Sequence, residues 1–492
     1  MAETPSAAVY FAGEHAYKLK KAVNLGFLDF TSLEARAAAC ARETELNRRF
    51  APDVYLGVAD VRDPDGKICD YLVVMRRMPV ARRLSLLVRA AARVDGPVRQ
   101  VARILAAAHA RAHRSAQISA EAGTDALQGR WLDNISQTAA IAGRLLDAGV
   151  FAEIDGLVRQ FLAGRGPLLQ ERIDAGRIVD GHGDLLADDI YCLDDGPRIL
   201  DCLDFDDRLR WLDGLDDAAC LVMDLERLGA PDLGRRFAGW YGEFAGDLPP
   251  ASLLHHYVAY RAFVRAKIAC IKASDGAIEA GRDARQLADL MLRHLRAGIV
   301  TLVLVGGPPG TGKTTLADDA GARLGWAVLS SDRIRKELAG LPVDADGRSA
   351  FGTGIYTSEW TARTYDELLH RAGELLARGE SAVLDASWSS AELRSAAAEL
   401  ARATHAHLVE LRCAAVPEVA DRRLRTRPRG LSDAGPEIGA RLAAAAAPWP
   451  GAIVIDTGGL APGAAAELAL SAIRPHGAEH VWRPTRPLMA AD

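Results

Sequence analysis

Gly307-Pro308-Pro309-Gly310-Thr311-Gly312-Lys313-Thr314 decides how the second half of this chain folds. It follows the apolar run Thr301-Leu302-Val303-Leu304-Val305 and precedes a segment with helical spacing that begins at Thr315 and runs on through Arg323-Leu324. Strand, glycine loop and helix in that order make a G-x-x-x-x-G-K-[ST] phosphate loop. The glycines Gly307, Gly310 and Gly312 let the backbone curl, so that successive N–H groups, those of Thr311 and Thr315 included, and the helix N-terminus face a polyphosphate. Lys313 then reaches the β- and γ-phosphates, and the Thr314 hydroxyl can stand on Mg²⁺. The pattern predicts that the chain binds ATP with Mg²⁺. The loop begins only after 306 residues, so the rest of the chain must supply the purpose.

Composition bounds that purpose. The chain has 492 residues, enough for two or three domains, and 49% hydrophobic and 25% charged residues are ordinary for a globular protein. A net charge of −5 gives no global reason to expect nucleic acid or an anionic membrane as partner. The start, Met1-Ala2-Glu3-Thr4-Pro5, lacks the basic and apolar regions of a secretory signal. No apolar run approaches the roughly 20 residues of a membrane helix. A cytoplasmic location is expected. Seven scattered cysteines without C-x-x-C pairs argue against a disulfide framework or zinc site. Only eight of the 60 basic residues are lysine, which gives each lysine at a motif position more weight.

From 301 to about 475, short apolar strands alternate with helical patterns, which predicts a parallel sheet flanked by helices. The strands are 301–305, 327–329, 382–384, 407–411 and 453–455. Carboxylates at the C-terminal ends of such strands face the ligand crevice. Asp332, after Ser330-Ser331, is placed to accept the proton of an incoming hydroxyl, and Asp385 to hold Mg²⁺ directly or through water. A motor ATPase would pair Asp385 with Glu; here Ala386 follows. The segment Asp421–Arg429 carries five arginines and suggests a lid in which Arg422 and Arg425 neutralise developing charge. Its continuation Pro428–Asp433 reads as a loop. Tyr356 and Trp360, near Gly352-Thr353-Gly354, either line an acceptor pocket or pack under a loop. This half resembles P-loop kinases of the gluconate/shikimate kinase and zeta-toxin kind; polynucleotide 5′-kinases share the plan, and the overall acidity disfavours them.

The first half alternates short β-like runs (8–11, 16–20, 71–75) with a helix over about 32–50, followed by Ala/Leu/Arg-rich helical spacing. Its sharpest feature is Gly181-His182-Gly183-Asp184-Leu185, then Asp188-Asp189-Ile190 and Arg198-Ile199-Leu200-Asp201. This resembles the aminoglycoside phosphotransferase family, a branch of the protein-kinase-like fold. The resemblance implies that Asp184 orients and deprotonates an acceptor hydroxyl, that His182 braces the loop, and that Asp201 ligates Mg²⁺. The family's metal-binding Asn falls at Asp189, still a hard oxygen ligand. Asp204 competes with Asp201 for the metal role, and Asp201 is preferred because it directly ends the apolar run. A strand lysine paired with Glu43 is also implied; Lys18 and Lys20 share a face, and Lys18 is named. Val74–Pro79 would be the hinge beside the adenine, and Asp217 matches a structural Asp of the next helix. No glycine-rich loop appears, Phe11-Ala12-Gly13-Glu14 being a poor substitute. His109 and His113, four apart, lack the Glu and the third ligand of a zinc site. His255, His256, Tyr260, Arg261, Arg265 and Lys267 either edge the first half's acceptor pocket or form a polar helix face.

The expected architecture is therefore an α/β and α+β multidomain chain: a kinase-like domain over 1–297, a P-loop kinase domain over 298–480 and a frayed tail over 481–492. The order of the halves resembles a bacterial group described as bifunctional aminoglycoside phosphotransferase/ATP-binding proteins. It implies ATP- and Mg²⁺-dependent transfer of the γ-phosphate to a small hydroxylated acceptor. The competing expectation is a nucleotide-binding regulatory ATPase with a degenerate first half.

Overall fold

A hairpin and one helix organise the beginning of the chain. The computed structural model describes residues 2–474 apart from 5, 25, 27, 143–147, 275–276, 343–353 and 427–434. The expected loop Pro428–Asp433, the tail 481–492 and Gly352–Thr353 lie outside the described residues. The chain divides into two compact units, 1–147 with 169–249 and 257–291, and 148–168 with 250–256 and 292–492. This differs from a single cut near 297, since residues 148–168 and 250–256 group with the second unit.

The first unit opens with an antiparallel sheet of β1 (Ala2–Glu3), β2 (Ala7–Ala12), β3 (His15–Lys20), β4 (Tyr55–Arg62) and β5 (Ile68–Arg76), in the order β1-β2-β3-β5-β4. Gly13 at φ 56° and Glu14 close β2 onto β3, a two-residue turn where a glycine-rich loop would have stood. The helix Leu33–Asn47, capped by the Ser32 hydroxyl on Ala35 N at 3.1 Å, packs its Cys40 with Ala16, Val54, Tyr55, Val73 and Met75. Side chains alternate along β3, so Ala16 joins that core while Lys18 and Lys20 on the same face meet Glu43 of the helix.

Further along, β6 (Ile178–Asp180) pairs with β9 (Trp211–Asp213), and β7 (Ile190–Leu193) with β8 (Gly196–Ile199) in a hairpin. The helix Gly214–Arg227 is buried over most of its length and carries three buried carboxylates, Asp216, Asp217 and Asp224. Each must find donors there.

The second unit is a parallel sheet of β10 (Thr301–Gly306), β11 (Ala327–Ser330), β12 (Ala382–Asp385), β13 (His407–Ala414) and β14 (Ile453–Asp456), ordered β11-β12-β10-β13-β14. Leu302–Val305 are fully buried, as a central strand covered on both faces requires. Helices Lys313–Leu324 and Pro462–Ile473 cover one face, Ser358–Ala377 and Ala391–Ala403 the other. The molecule is α/β overall. Among the described residues no helix is long and apolar enough to cross a membrane.

Residues 148–168 are structural members of this unit. Arg165 is 1% exposed and spends its guanidinium on helix-end carbonyls: those of Leu376 and, at 3.1 Å, Thr404. A cation there complements both helix C-termini. Gly164 packs so tightly that a Cβ would collide with the Thr404 carbonyl. Gly164→Ala is therefore expected to lower the stability of the full chain by about 1–3 kcal/mol, read as a urea-midpoint shift; an unchanged midpoint would refute this packing.

Candidate functional site

In the second unit the glycine loop has the curled backbone its sequence demands. Gly307, Gly310 and Gly312 lie at φ 138°, 84° and 81°. A Cβ on Gly307 would press on the Cys413 carbonyl at 2.7 Å, and one on Gly310 on the Ala420 carbonyl at 2.6 Å. Side chains then pin the curl. Thr311 Oγ1 donates to Pro308 O at 2.8 Å, Gly307 N to Ser387 O at 3.2 Å, and Thr457 Oγ1 reaches the Thr311 carbonyl. Lys313 and Thr314 open the helix, with Thr315 exposed beside them. A cavity of about 540 Å³ runs from Gly312, Lys313 and Thr314 past Arg423 and Thr457 to Leu460.

Asp385 ends β12 directly across from Val305 of β10 and Ser330 of β11. Its Oδ2 accepts the Thr314 hydroxyl at 2.9 Å, whereas its Oδ1 is buried and, among the described residues, without a hydrogen-bond partner. Burial pushes this carboxyl above the usual range, Asp332 and Asp318 push the same way, and Lys313 and Thr314 oppose them. Asp332 stands in the first turn of the helix Ser331–Leu338, so its charge belongs to the same neighbourhood.

The arginine helix Pro417–Thr426 divides its cations by phase. Arg425 pairs with Asp421 at 2.8 Å and Arg422 is exposed. Arg423 is the one that reaches the loop, donating to Thr457 O at 2.7 Å and standing 3.5 Å from Gly310 O. Sequence reasoning passed over Arg423, and also Trp388, a buried residue at φ 49° held by Nε1 on Leu384 O at 3.3 Å. Tyr356 lies under the Arg335 guanidinium at 5.1 Å and Trp360 under Arg363 at 4.6 Å, so both rings pack against cations.

In the first unit Lys18 and Lys20 are both used. Lys18 Nζ lies 2.8 Å from Glu43 Oε1 and 2.9 Å from Asp201 Oδ1, while Lys20 lies 2.6 Å from Glu43 Oε2 and 2.6 Å from Asp204 Oδ2. Burial opposes both ammonium charges, but the carboxylates outweigh it and hold Lys18 well above its ordinary range. Lys18 in turn depresses Asp201. Asp201 adopts φ 61°, rare for a residue with a Cβ. Tyr55 OH on its N–H at 3.1 Å and Asn47 Oδ1 on Cys202 N at 2.8 Å hold that conformation.

Asp184 lies between these groups and the helix Ala251–Ser274. Burial raises its carboxyl, with Arg265 and Arg261 opposing. Asp189 is pushed well up by burial and by the charges of Asp201, Asp184 and Asp188. The charge of Lys18 works against that rise. Among the described residues no cluster of three or more His, Cys, Asp or Glu is arranged to hold a metal ion. Two carboxylates suffice where phosphate and water complete the octahedron of Mg²⁺.

The loop before Asp184 hangs on Asp217. Its Oδ2 accepts His182 N at 2.6 Å and faces His109 Nε2 at 2.9 Å, and its Oδ1 accepts Gly183 N at 2.9 Å. Tyr241 OH on His109 Nδ1 at 2.9 Å completes the chain. His109, set aside as a metal decoy, is a buried brace, and His113 is exposed. His182 bonds Leu200 O through Nε2 at 3.1 Å and packs edge-on against Phe50, and burial lowers its pKa. His255 meets His294 at 2.9 Å and His256 stacks on Phe161 at 4.1 Å, all within the second unit. The expected hinge runs beside the hairpin, Arg77 N donating to Glu14 O at 2.8 Å, with Met75 and Met78 buried.

A glycine loop whose helix-opening Thr314 bonds the strand-end Asp385 defines a P-loop nucleotide-binding parallel sheet, and residues 302–480 match the family model of the AAA domain. Over 457 residues, 93% of this chain, 42% of positions are identical to the "Uncharacterized protein Rv2004c" of Mycobacterium tuberculosis, 92% of which is covered; the same figures hold for "Uncharacterized protein Mb2027c" of Mycobacterium bovis. The chain belongs to the family of these mycobacterial proteins. Among solved structures, a sugar kinase from Janibacter sp. matches at 22% identity over 37% of this chain and 99% of its own, with a TM-score of 0.30. A gluconokinase from Sinorhizobium meliloti matches at 16% over 35% of this chain and 91% of its own, with a TM-score of 0.25.

Burial disfavours the charge of Asp217, but His109, His182 and the loop amides outweigh it and hold its pKa below the usual range. A depressed carboxyl stabilises the fold in full above its unfolded pKa of about 3.9 and loses that contribution as pH falls from there. Asp217→Asn is expected to cost about 2–4 kcal/mol at pH 7. The gap to wild type should narrow below about pH 4. Urea titrations at both pH values check this; a pH-independent gap would contradict it.

Proposed function

We propose that this chain is an ATP- and Mg²⁺-dependent phosphotransferase acting on a small hydroxylated acceptor, with the P-loop unit as its principal catalyst. The observation that carries the reading is the Thr314–Asp385 pair, whose hydroxyl at 2.9 Å leaves a second, buried carboxylate oxygen without a partner beside Lys313. Thr314 Oγ1 and Asp385 Oδ1 are the donor set for Mg²⁺, oxygen ligands of the hard kind that ion takes. When bound, Mg²⁺ neutralises charge on the β- and γ-phosphate oxygens.

The chain's own groups do the rest. The loop N–H groups and Lys313 hold the phosphates in line, and Arg423, rather than Arg422 or Arg425, is assigned their outer contact. Asp332 takes the proton of the acceptor hydroxyl as its oxygen bonds the γ-phosphorus. The bond from that phosphorus to the β,γ-bridging oxygen breaks, and ADP leaves with the electron pair.

The first unit is assigned a second phosphotransfer site of the kinase-like, aminoglycoside phosphotransferase kind. Its support is the Lys18–Glu43 pair under an antiparallel sheet, with Asp184 beside the carboxylates Asp189 and Asp201. Asp189 and Asp201 would hold Mg²⁺ there as hard oxygen ligands, the charge of Asp201 opposing the ionisation of Asp189. A second reading, a nucleotide-sensing module without transfer in this unit, is favoured by the complete pairing of Lys18 with Glu43 and Asp201 and by the two-residue turn at Gly13.

Labelled γ-phosphate transfer to a metabolite mixture tests the proposal. Lys313→Ala is expected to remove transfer by the P-loop unit by about 10²-fold or more, and Asp184→Asn to remove what remains. Full activity in both variants would sink the enzyme reading. Asp385→Asn should lower transfer as far while leaving the nucleotide-free protein no less stable in a thermal melt, because it removes a buried charge with an unpaired oxygen. Equal loss of stability and activity would mean that Asp385 is only structural.

A further inference from the structure

The acceptor side of Asp184 carries positive charge, and the use made of that charge rests on the reading that Asp184 takes an acceptor's proton. The helix Ala251–Ser274 sets Arg261 and Arg265 four residues apart, on one face. Arg261 is buried and committed: it pairs with Asp216 through two bonds of 2.7 and 2.9 Å and donates to Gly183 O at 2.7 Å. That ties the residue before Asp184 to the helix Gly214–Arg227.

Arg265 is different. Its side chain is 28% exposed, and its one polar contact among the described residues is Asp184 Oδ2 at 3.5 Å, too long for a strong hydrogen bond. Among the described residues the other oxygen of Asp184 has only the Cys220 thiol, at 3.9 Å. A guanidinium therefore stands beside the proton-accepting carboxylate with most of its five donors uncommitted. Lys267, two residues on, bonds the neutral side-chain amides of Asn134, at 3.0 Å, and Gln137, and Asp133 is the acidic group whose field it feels.

A polycationic amino sugar brought to Asp184 would set ammonium groups against Arg265, where like charges repel. An acceptor with an oxyanion near its hydroxyl would instead be clamped by the guanidinium in a two-pronged pair while the hydroxyl reached Asp184. We propose that Arg265 selects, for the Asp184 site, a small acceptor bearing a carboxylate or phosphate group near the reacting hydroxyl, and rejects polycationic amino sugars. In the step itself the acceptor's O–H proton passes to Asp184 and its oxygen bonds the γ-phosphorus. The bond to the β,γ-bridging oxygen breaks, and ADP carries off the electron pair. Arg265 is a positioning residue that holds the oxyanion and changes no bond.

The test uses the full chain carrying Lys313→Ala, which silences the P-loop unit, with labelled ATP, Mg²⁺ and four acceptors: gluconate, glycerol 3-phosphate, glycerol and kanamycin. Transfer abolished by Asp184→Asn is expected to gluconate or glycerol 3-phosphate, and which of the two distinguishes a carboxylate from a phosphate reader. Arg265→Gln should raise the KM of that acceptor roughly 10- to 100-fold, the worth of a charge-assisted hydrogen bond. Its kcat should move by less than about threefold. Arg265→Lys should restore part of the KM, and should Arg265→Gln fail to fold, Arg265→Lys carries the comparison through a smaller KM rise. Asp184-dependent transfer to glycerol or kanamycin, or a KM indifferent to Arg265, overturns this inference alone. No Asp184-dependent transfer to any of the four overturns the reading of Asp184 and this inference with it.

Discussion

The second unit depends on the register of three parallel strands. Val305 of β10 stands opposite Asp385 of β12, and Ser330 of β11 stands opposite the same residue. Because side chains alternate along a strand, a slip of one residue would turn Asp385 to the other face. With the register as it is, the last residue of β12 meets the first turn of the helix that follows the glycine loop, and Thr314 can bond it. The buried runs of Val303, Leu304, Val383 and Leu384 fix that register by packing against both helix layers. The hydrophobic core thereby delivers a carboxylate to a phosphate loop, and it does so at the cost of one buried oxygen without a partner.

The first unit shows another solution to buried charge. Lys18 and Lys20 interleave with Glu43, Asp201 and Asp204, so that each ammonium faces two carboxylates. Tyr55 and Asn47 hold the strained backbone at Asp201 next to Asp189, whose own ionisation is opposed by burial and by three neighbours. Asp217 gathers two main-chain N–H groups and His109, which places Gly183 and so Asp184. Positioning is spread over a helix, a brace and a hairpin that lie far apart in sequence.

How much of this could be seen in the sequence depends on how local each signal is. The phosphate loop was legible because the glycines, lysine and threonine sit within eight residues and their conformational demands are their own. Asp385 was legible as a strand end, whereas Asp332, read at the end of the second strand, stands in the first turn of the helix that follows it. The choice among the arginines was not: Arg422, Arg423 and Arg425 look alike as charges along a chain, and only the helix phase relative to Gly310 and Thr457 picks out Arg423. Lys18 and Lys20 could not be separated, and the fold explains why, since Glu43 offers one oxygen to each. His109 read as half of a failed metal motif because its partner Asp217 is more than a hundred residues away. Arg165 and Gly164 gave no sign of belonging with the second unit, because an Ala/Leu/Arg-rich helix carries no label for the carbonyls it will cap.

The central claim is that Thr314 and Asp385 form a divalent-metal and phosphate site at the mouth of the glycine loop. The most direct measurement is a crystal structure of the full chain with a non-hydrolysable ATP analogue and Mn²⁺, collected at a wavelength where manganese scatters anomalously. An anomalous peak within about 2.5 Å of Thr314 Oγ1 or Asp385 Oδ1, or joined to Asp385 by one water, with the γ-phosphate beside Lys313, is the expected result. Phosphates bound elsewhere, or a peak with no contact to either residue, would contradict it.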